Sequence, residues 1–210
     1  MIRVLVVDDH AVVREGLKRI LAEAGDITVV GEAISEEQAL HEAGKHNCDV
    51  VVTDITLPGR GGLELLKDLK RNHPRVPVLI LSVHAEEQFA LRALKAGAAG
   101  YLTKETAPDE LVLAIRKAAK GGRYVSTAVA EQLASRLGPD PELPPHQRLS
   151  DREFQVLTMI AQGKTLRGTA DELSLSIKTV STYRVRLLEK LGLSSTAEII
   201  AYAIRNRLAD

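Results

Sequence analysis

The chain has 210 residues, 45 % of them apolar and 27 % charged, enough to bury one large core or two small ones without staples. Its 28 basic and 28 acidic side chains cancel, so composition alone points neither to nucleic acid nor to an anionic membrane, and the single cysteine, Cys48, excludes an internal disulfide and a Cys-rich zinc site. No run approaches the roughly 18 apolar residues that a membrane helix needs, and the N-terminus lacks a signal-peptide pattern, so the expectation is a soluble, cytoplasmic protein without a membrane partner.

In chain order, Val4-Leu5-Val6-Val7 is a short apolar run of the buried-strand kind, ending in Asp8 and Asp9. Residues 10–23 follow helical spacing with Val13, Leu17, Ile20 and Leu21 on one face, Thr28-Val29-Val30 is a short strand, and residues 36–43 form a short helix. Val50-Val51-Val52-Thr53 delivers Asp54 to its own C-terminal end, just before the turn residues Pro58 and Gly59. Leu63, Leu65, Leu66 and Leu69 line the next helix, which stops before Pro74. Residues 78–82 make a fourth strand ending at Ser82, and residues 86–96 a helix closed by Gly97. Residues 100–103 are a fifth strand leading to Lys104, and a helix from Pro108 to about Lys120 completes the series.

Five strands alternating with five helices predict a parallel sheet with right-handed crossovers, a flavodoxin-like (βα)5 α/β domain. All strand C-termini then share one edge, which gathers Asp8, Asp9, Asp54, Ser82 and Lys104 from almost 100 residues of chain. Crowded carboxylates repel unless a cation is present, so the cluster predicts a hard divalent ion, with Mg²⁺ the natural candidate. A hydroxyl and a lysine beside such an ion suit a phosphoryl group, whose transfer needs positioning and charge neutralisation.

These residues, in this order, resemble the receiver domain of two-component response regulators over residues 1–121. The resemblance implies Asp54 as phospho-acceptor from a sensor histidine kinase, and Mg²⁺ on Asp9, Asp54 and the Thr56 backbone carbonyl, with Asp8 acting through water. It further implies that Ser82 and Lys104 grip the phosphoryl oxygens and that Tyr101 rotates as a switch. Thr56 and His84 would tune phosphoryl loss. Gly61 departs from the acidic or polar residue common in the family.

Residues 122–147 read as a linker: Ser126 opens a short amphipathic helix to about Leu137, and four prolines between Pro139 and Pro145 exclude a packed helix or central strand. Beyond it, Ser150-Asp151-Arg152-Glu153 has the capping-box pattern before an apolar helix ending near Gly163. Helices follow over residues 165–173, 178–191 and, behind a second box at Ser195-Thr196-Ala197-Glu198, 195–207. The three-residue turn between the middle two describes a helix-turn-helix in an all-α, four-helix domain over residues 148–210. Its third helix carries Lys178, Thr179, Ser181, Thr182, Tyr183, Arg184, Val185, Arg186 and Lys190 as candidate DNA contacts.

This segment resembles the LuxR-type DNA-binding domain of the NarL/FixJ family, on Leu149-Ser150-Asp151-Arg152-Glu153, Ile177-Lys178-Thr179-Val180 and Lys190-Leu191-Gly192-Leu193. Ser181-Thr182-Tyr183 matches the variant of BvgA/EvgA-like regulators, while Gly168-Thr169 departs from a commoner glutamate and apolar residue. The resemblance implies a transcriptional regulator, not an enzyme beyond accepting its own phosphoryl group and slowly losing it. It implies a homodimer on activation, double-stranded promoter DNA and RNA polymerase as partners. Two alternatives stay open at this stage: a Mg²⁺-dependent phosphohydrolase that works through an aspartyl-phosphate, and a phosphorylation-independent DNA-binding protein.

Overall fold

The computed structural model describes residues 1–82, 86–126, 129–130, 144–206 and 208, with backbone alone at 86–88. The chain divides into two compact units, Met1–Ser135 and Arg136–Asp210.

In the first unit β1 (Ile2–Val7), β2 (Ile27–Ala33), β3 (Val50–Asp54), β4 (Val78–Ser82) and β5 (Gly100–Thr103) alternate with five helices. These are α1 (Ala11–Glu23), α2 (Glu36–Lys45), α3 (Gly62–Asn72), α4 (Glu86–Lys95) and α5 (Pro108–Ala119). All strand pairs are parallel, in the order β2-β1-β3-β4-β5. The order reverses between β1 and β3, where open α/β sheets place their ligand crevice. Every residue of β3 and β4 is buried, which is why these strands are continuous apolar runs. Val50 and Val52 share a core with Leu17 and Leu21 of α1 and Leu111 and Ile115 of α5. The alternate residues, Val51 and Thr53, turn to the opposite face of the sheet.

β2 extends three residues beyond the expected Thr28-Val29-Val30. After a register shift at Val4/Leu5, Glu32 and Ala33 pair with Val6 and Val7; an edge strand tolerates a polar tail that hydropathy alone reads as a loop. The departure at Gly61 also has a backbone reason. Gly61 caps α3 at φ 87°, ψ 165°, a region populated essentially by glycine alone. In the next position, a Cβ on Gly62 would lie 2.0 Å from the Asp54 carbonyl oxygen. The start of α3 thus sits directly on the end of β3.

In the second unit a 3₁₀ turn (Pro145–Arg148) precedes α6 (Asp151–Ala161), α7 (Leu166–Glu172), α8 (Ile177–Leu191) and α9 (Thr196–Arg205). Phe154, Leu157, Leu173, Val180, Leu187 and Ile199 are buried at its centre. The Ser150–Glu153 capping box forms in both directions. The second box forms by half: Ser195 accepts the Glu198 N–H, but the Glu198 carboxylate accepts from the Ser194 N–H instead of from Ser195. Of the helix expected after Ser126, only residues 129–130 are described, with the Ala130 N–H on the Ser126 carbonyl at 2.9 Å. Its continuation to Leu137 and the prolines at 139 and 141 lie outside the described residues.

The α7 departure has a measurable consequence. Thr165 caps α7 by accepting the Gly168 N–H at 3.0 Å, so Gly168 occupies the position from which a glutamate would complete a capping box. A Cβ there would meet only the Thr165 Oγ1, at an ordinary 3.4 Å. Gly168→Glu is expected to stabilise the full chain by about 1–2 kcal/mol through helix propensity and the reciprocal cap, read by urea denaturation.

Candidate functional site

Sheet register brings the strand ends level. Val7 opposes Thr53, Asp54 opposes Leu81, and Ser82 opposes Thr103. Asp8, Asp54, Ser82 and Lys104 therefore fall within a residue of one another along one edge. Asp8, Asp54 and Ser82 are buried. The Lys104 Nζ lies 3.0 Å from Asp54 Oδ2 and 2.7 Å from Asp8 Oδ2. Asp9 stands at the rim, with the His10 Nδ1 2.9 Å from its Oδ1.

Burial pushes the Asp54 carboxyl above its ordinary pKa; Lys104 opposes the shift and Asp8 adds to it. Burial pulls the Lys104 ammonium down, but Asp54 and Asp8 together outweigh it and hold its pKa above the usual lysine value. Two buried carboxylates share one lysine, a third stands at the rim, and Asp54 Oδ1 is buried without a hydrogen-bond partner. Negative charge in excess and an orphaned oxygen fit a hard divalent cation with oxygen ligands. One ligand atom each from Asp8, Asp9, His10 and Asp54 lies within 4.8 Å of the others.

Thr56 is half-buried on the loop after β3, its Oγ1 enclosed without a partner. His84 lies outside the described residues. Tyr101, expected to rotate inward on activation, is already 2 % exposed, on β5 opposite Ile80.

Two supports of the pocket are visible only in the fold. His10 donates its backbone N–H to Asp8 Oδ1 at 2.8 Å, and Arg14, held by Glu32, donates to the Asp8 carbonyl at 2.7 Å. Together they fix the first acidic residue, and only the fold shows that α1 turns Arg14 back onto β1. The second support is Arg60, on the loop between Asp54 and α3, which pairs with both Glu36 of α2 and Asp68 of α3. Burial and the neighbouring Asp68 raise the Glu36 pKa against the pull of Arg60. Arg60→Met leaves the buried Glu36 carboxyl without a cation and Asp68 with Arg71 alone, and is expected to destabilise the fold at neutral pH. A raised folded-state pKa favours the fold at low pH, so the loss should shrink as acid protonates Glu36. Denaturant titrations at two pH values measure both effects.

In the second unit, Ser176 caps α8 by accepting the Thr179 N–H at 3.0 Å, and Ser174, at φ 52°, makes the preceding turn. Among the candidate DNA contacts, several polar ends are already engaged. Arg184 Nε donates to Thr196 Oγ1 at 3.0 Å, and Lys190 Nζ reaches Glu153 Oε2 at 2.6 Å, tying α8 to the α6 capping box. Burial raises the Glu153 carboxyl, but Lys190 and Ser150 outweigh it and hold the pKa below normal. Lys178, Thr182, Val185 and Arg186 are exposed, with Ser181 and Tyr183 half-exposed.

A parallel (βα)5 unit with an acid–lysine pocket at its carboxyl edge, joined to a helix-turn-helix unit, defines a receiver coupled to a DNA-binding effector. Residues 4–116 match the response regulator receiver domain, and residues 147–203 match the bacterial regulatory proteins of the luxR family. The chain belongs to the response regulators, with a LuxR-type DNA-binding domain, in the NarL/FixJ group. It is 44 % identical to the response regulator GacA of Pseudomonas viridiflava, over all of this chain and 99 % of that protein. Identity to the response regulator UvrY of Escherichia coli K12 is 41 %, over all of this chain and 97 % of the relative. Among solved structures it resembles RcsB of Salmonella enterica bound to promoter rprA in the presence of phosphomimetic BeF3⁻, with a TM-score of 0.65 and 26 % identity over 96 % of this chain and 97 % of that one. It also resembles ChrA of a heme-sensing two-component system, with a TM-score of 0.54 and 38 % identity over 99 % of this chain and 98 % of that one. The chain is therefore a transcription regulator answering to a histidine kinase, rather than a phosphohydrolase. Among the described residues no helix is long and apolar enough to cross a membrane.

Proposed function

We propose that Asp54 is the phospho-acceptor of this regulator and that its phosphorylation promotes dimerisation and promoter binding. The observation that carries this reading is the Asp54 carboxylate, buried with one oxygen on Lys104 and the other without a partner. Asp54 attacks the phosphorus of a kinase phosphohistidine; the P–N bond breaks, the imidazole leaves, and an acyl phosphate remains. Lys104 stays ionised and faces the new phosphoryl oxygens, while Ser82 at the end of β4 supplies the hydroxyl on the other side. Asp9, Asp54 and the Thr56 carbonyl would hold Mg²⁺, with Asp8 through water, and the ion would neutralise phosphoryl charge. Thr56 and His84 set how slowly the group is lost. Tyr101, with its ring already inward, would stabilise the altered β4–α4 surface instead of travelling to it.

A single small domain with a few basic contacts binds DNA weakly and with steep salt dependence, so dimerisation supplies the affinity, on half-sites about one helical turn apart. We assign residues 1–121 to the receiver, 122–147 to the connector and 148–210 to the DNA-binding domain, acting in the cytoplasm with RNA polymerase as the downstream partner. The test treats the full chain and Asp54→Ala with Mg²⁺ and beryllofluoride, then measures sedimentation and DNA binding. Dimer formation and tighter binding by wild type alone are expected; equal binding in both states would overturn the switch.

A further inference from the structure

Helical spacing places Lys178, Thr182, Val185 and Glu189 on one line of α8, opposite the buried Val180, Leu187 and Leu191. The line faces solvent, and Val185, 46 % exposed, is its one large apolar side chain among the described residues. A lone exposed valine is ordinary on a protein surface. Its position on this helix is not. Val185 lies midway along the stripe that a helix-turn-helix turns toward base edges, and a β-branched residue there works against the helix without filling any core. In the major groove most of a base edge is hydrogen-bonding groups; the apolar exception is the C5 methyl of thymine. A valine pressed against a donor or acceptor would strip it of water without replacing the bond.

We propose that Val185 is a specificity-determining residue that packs its two methyls against a thymine C5 methyl in each half-site. The inference rests on the DNA-binding role of α8. Seven residues of helix separate Val185 from Lys178, about 10 Å of rise, so the thymine lies about three base pairs from the base that Lys178 addresses. With Arg184 and Lys190 committed within the domain, this methyl contact joins the exposed Lys178 and Arg186 in base discrimination.

The probe is duplex DNA selected from a randomised pool by the full-length chain loaded with Mg²⁺ and beryllofluoride. Each thymine in the selected half-site is then replaced by deoxyuridine, which removes only the C5 methyl. At one position the replacement should weaken wild-type binding about fourfold per half-site and leave Val185→Ala unchanged. Placing 5-methylcytosine there should bind wild type better than cytosine does, with no such preference in Val185→Ala. Val185→Ala should melt no lower than wild type, which separates lost recognition from lost folding. Uracil penalties equal in both proteins at every thymine overturn the assignment while leaving the DNA-binding reading intact. A pool that yields no enriched sequence overturns both.

Discussion

Asp54→Asn is expected to abolish acyl-phosphate formation and yet to melt at a higher temperature than wild type at neutral pH without Mg²⁺. The wild-type carboxyl is buried beside Asp8, and its pKa is raised in the fold despite Lys104. A group whose folded-state pKa exceeds its unfolded value contributes stability at low pH and loses it as pH rises through the folded value. Wild type carries that loss at neutral pH; the amide, which does not titrate, escapes it. The gap between the two proteins should close as pH falls below the raised pKa, where the wild-type carboxyl is neutral too. Mg²⁺ should act the other way, since ligand that binds the folded state stabilises it by mass action and the amide offers the proposed Mg²⁺ site one carboxylate fewer. Thermal melts over pH, with and without Mg²⁺, and phosphorylation by acetyl phosphate provide the measurements. A variant that melts lower than wild type at neutral pH without Mg²⁺ would sink the claim that the acceptor is held at a cost to the fold.

The parts of this pocket that were legible in sequence are those written into strand ends. Asp8, Asp54, Ser82 and Lys104 each follow an apolar run, and parallel pairing allows little choice about where such ends meet. The residues that steady them were not legible for physical reasons. Arg14 and Arg60 look like solvated charges until helix packing shows which carbonyl or carboxylate each one faces. Gly62 reads as a turn residue, whereas its lack of a Cβ is what allows α3 to rest on the Asp54 carbonyl. In the second unit the basic count of α8 could not separate cations that hold the domain together from those turned outward. Lys190 belongs to the first kind because Glu153, buried by its own cap, needs a counter-charge.

Lys104→Met should produce the largest loss of stability of any single change in the receiver pocket. Among the described residues the lysine is the one cation within ion-pair distance of both Asp8 and Asp54, and both carboxylates are almost wholly enclosed. Methionine fills a similar volume but leaves two buried acids facing each other, a situation that typically costs about 3–5 kcal/mol. Asp54, whose pKa burial already raises, can escape by taking up a proton, so stability is lost as pH rises. The variant should accordingly approach wild-type stability as pH falls below the raised Asp54 pKa and lose stability as pH rises through it. A divalent cation offers a second escape. Mg²⁺ should therefore raise the melting temperature of Lys104→Met more than that of wild type, because it meets acids that no ammonium already neutralises. Beryllofluoride should still load poorly, since the phosphoryl oxygens have lost their charged partner. A pH-independent loss of stability that Mg²⁺ does not reverse would show that Lys104 supports the fold by packing its stem and not by balancing the acids.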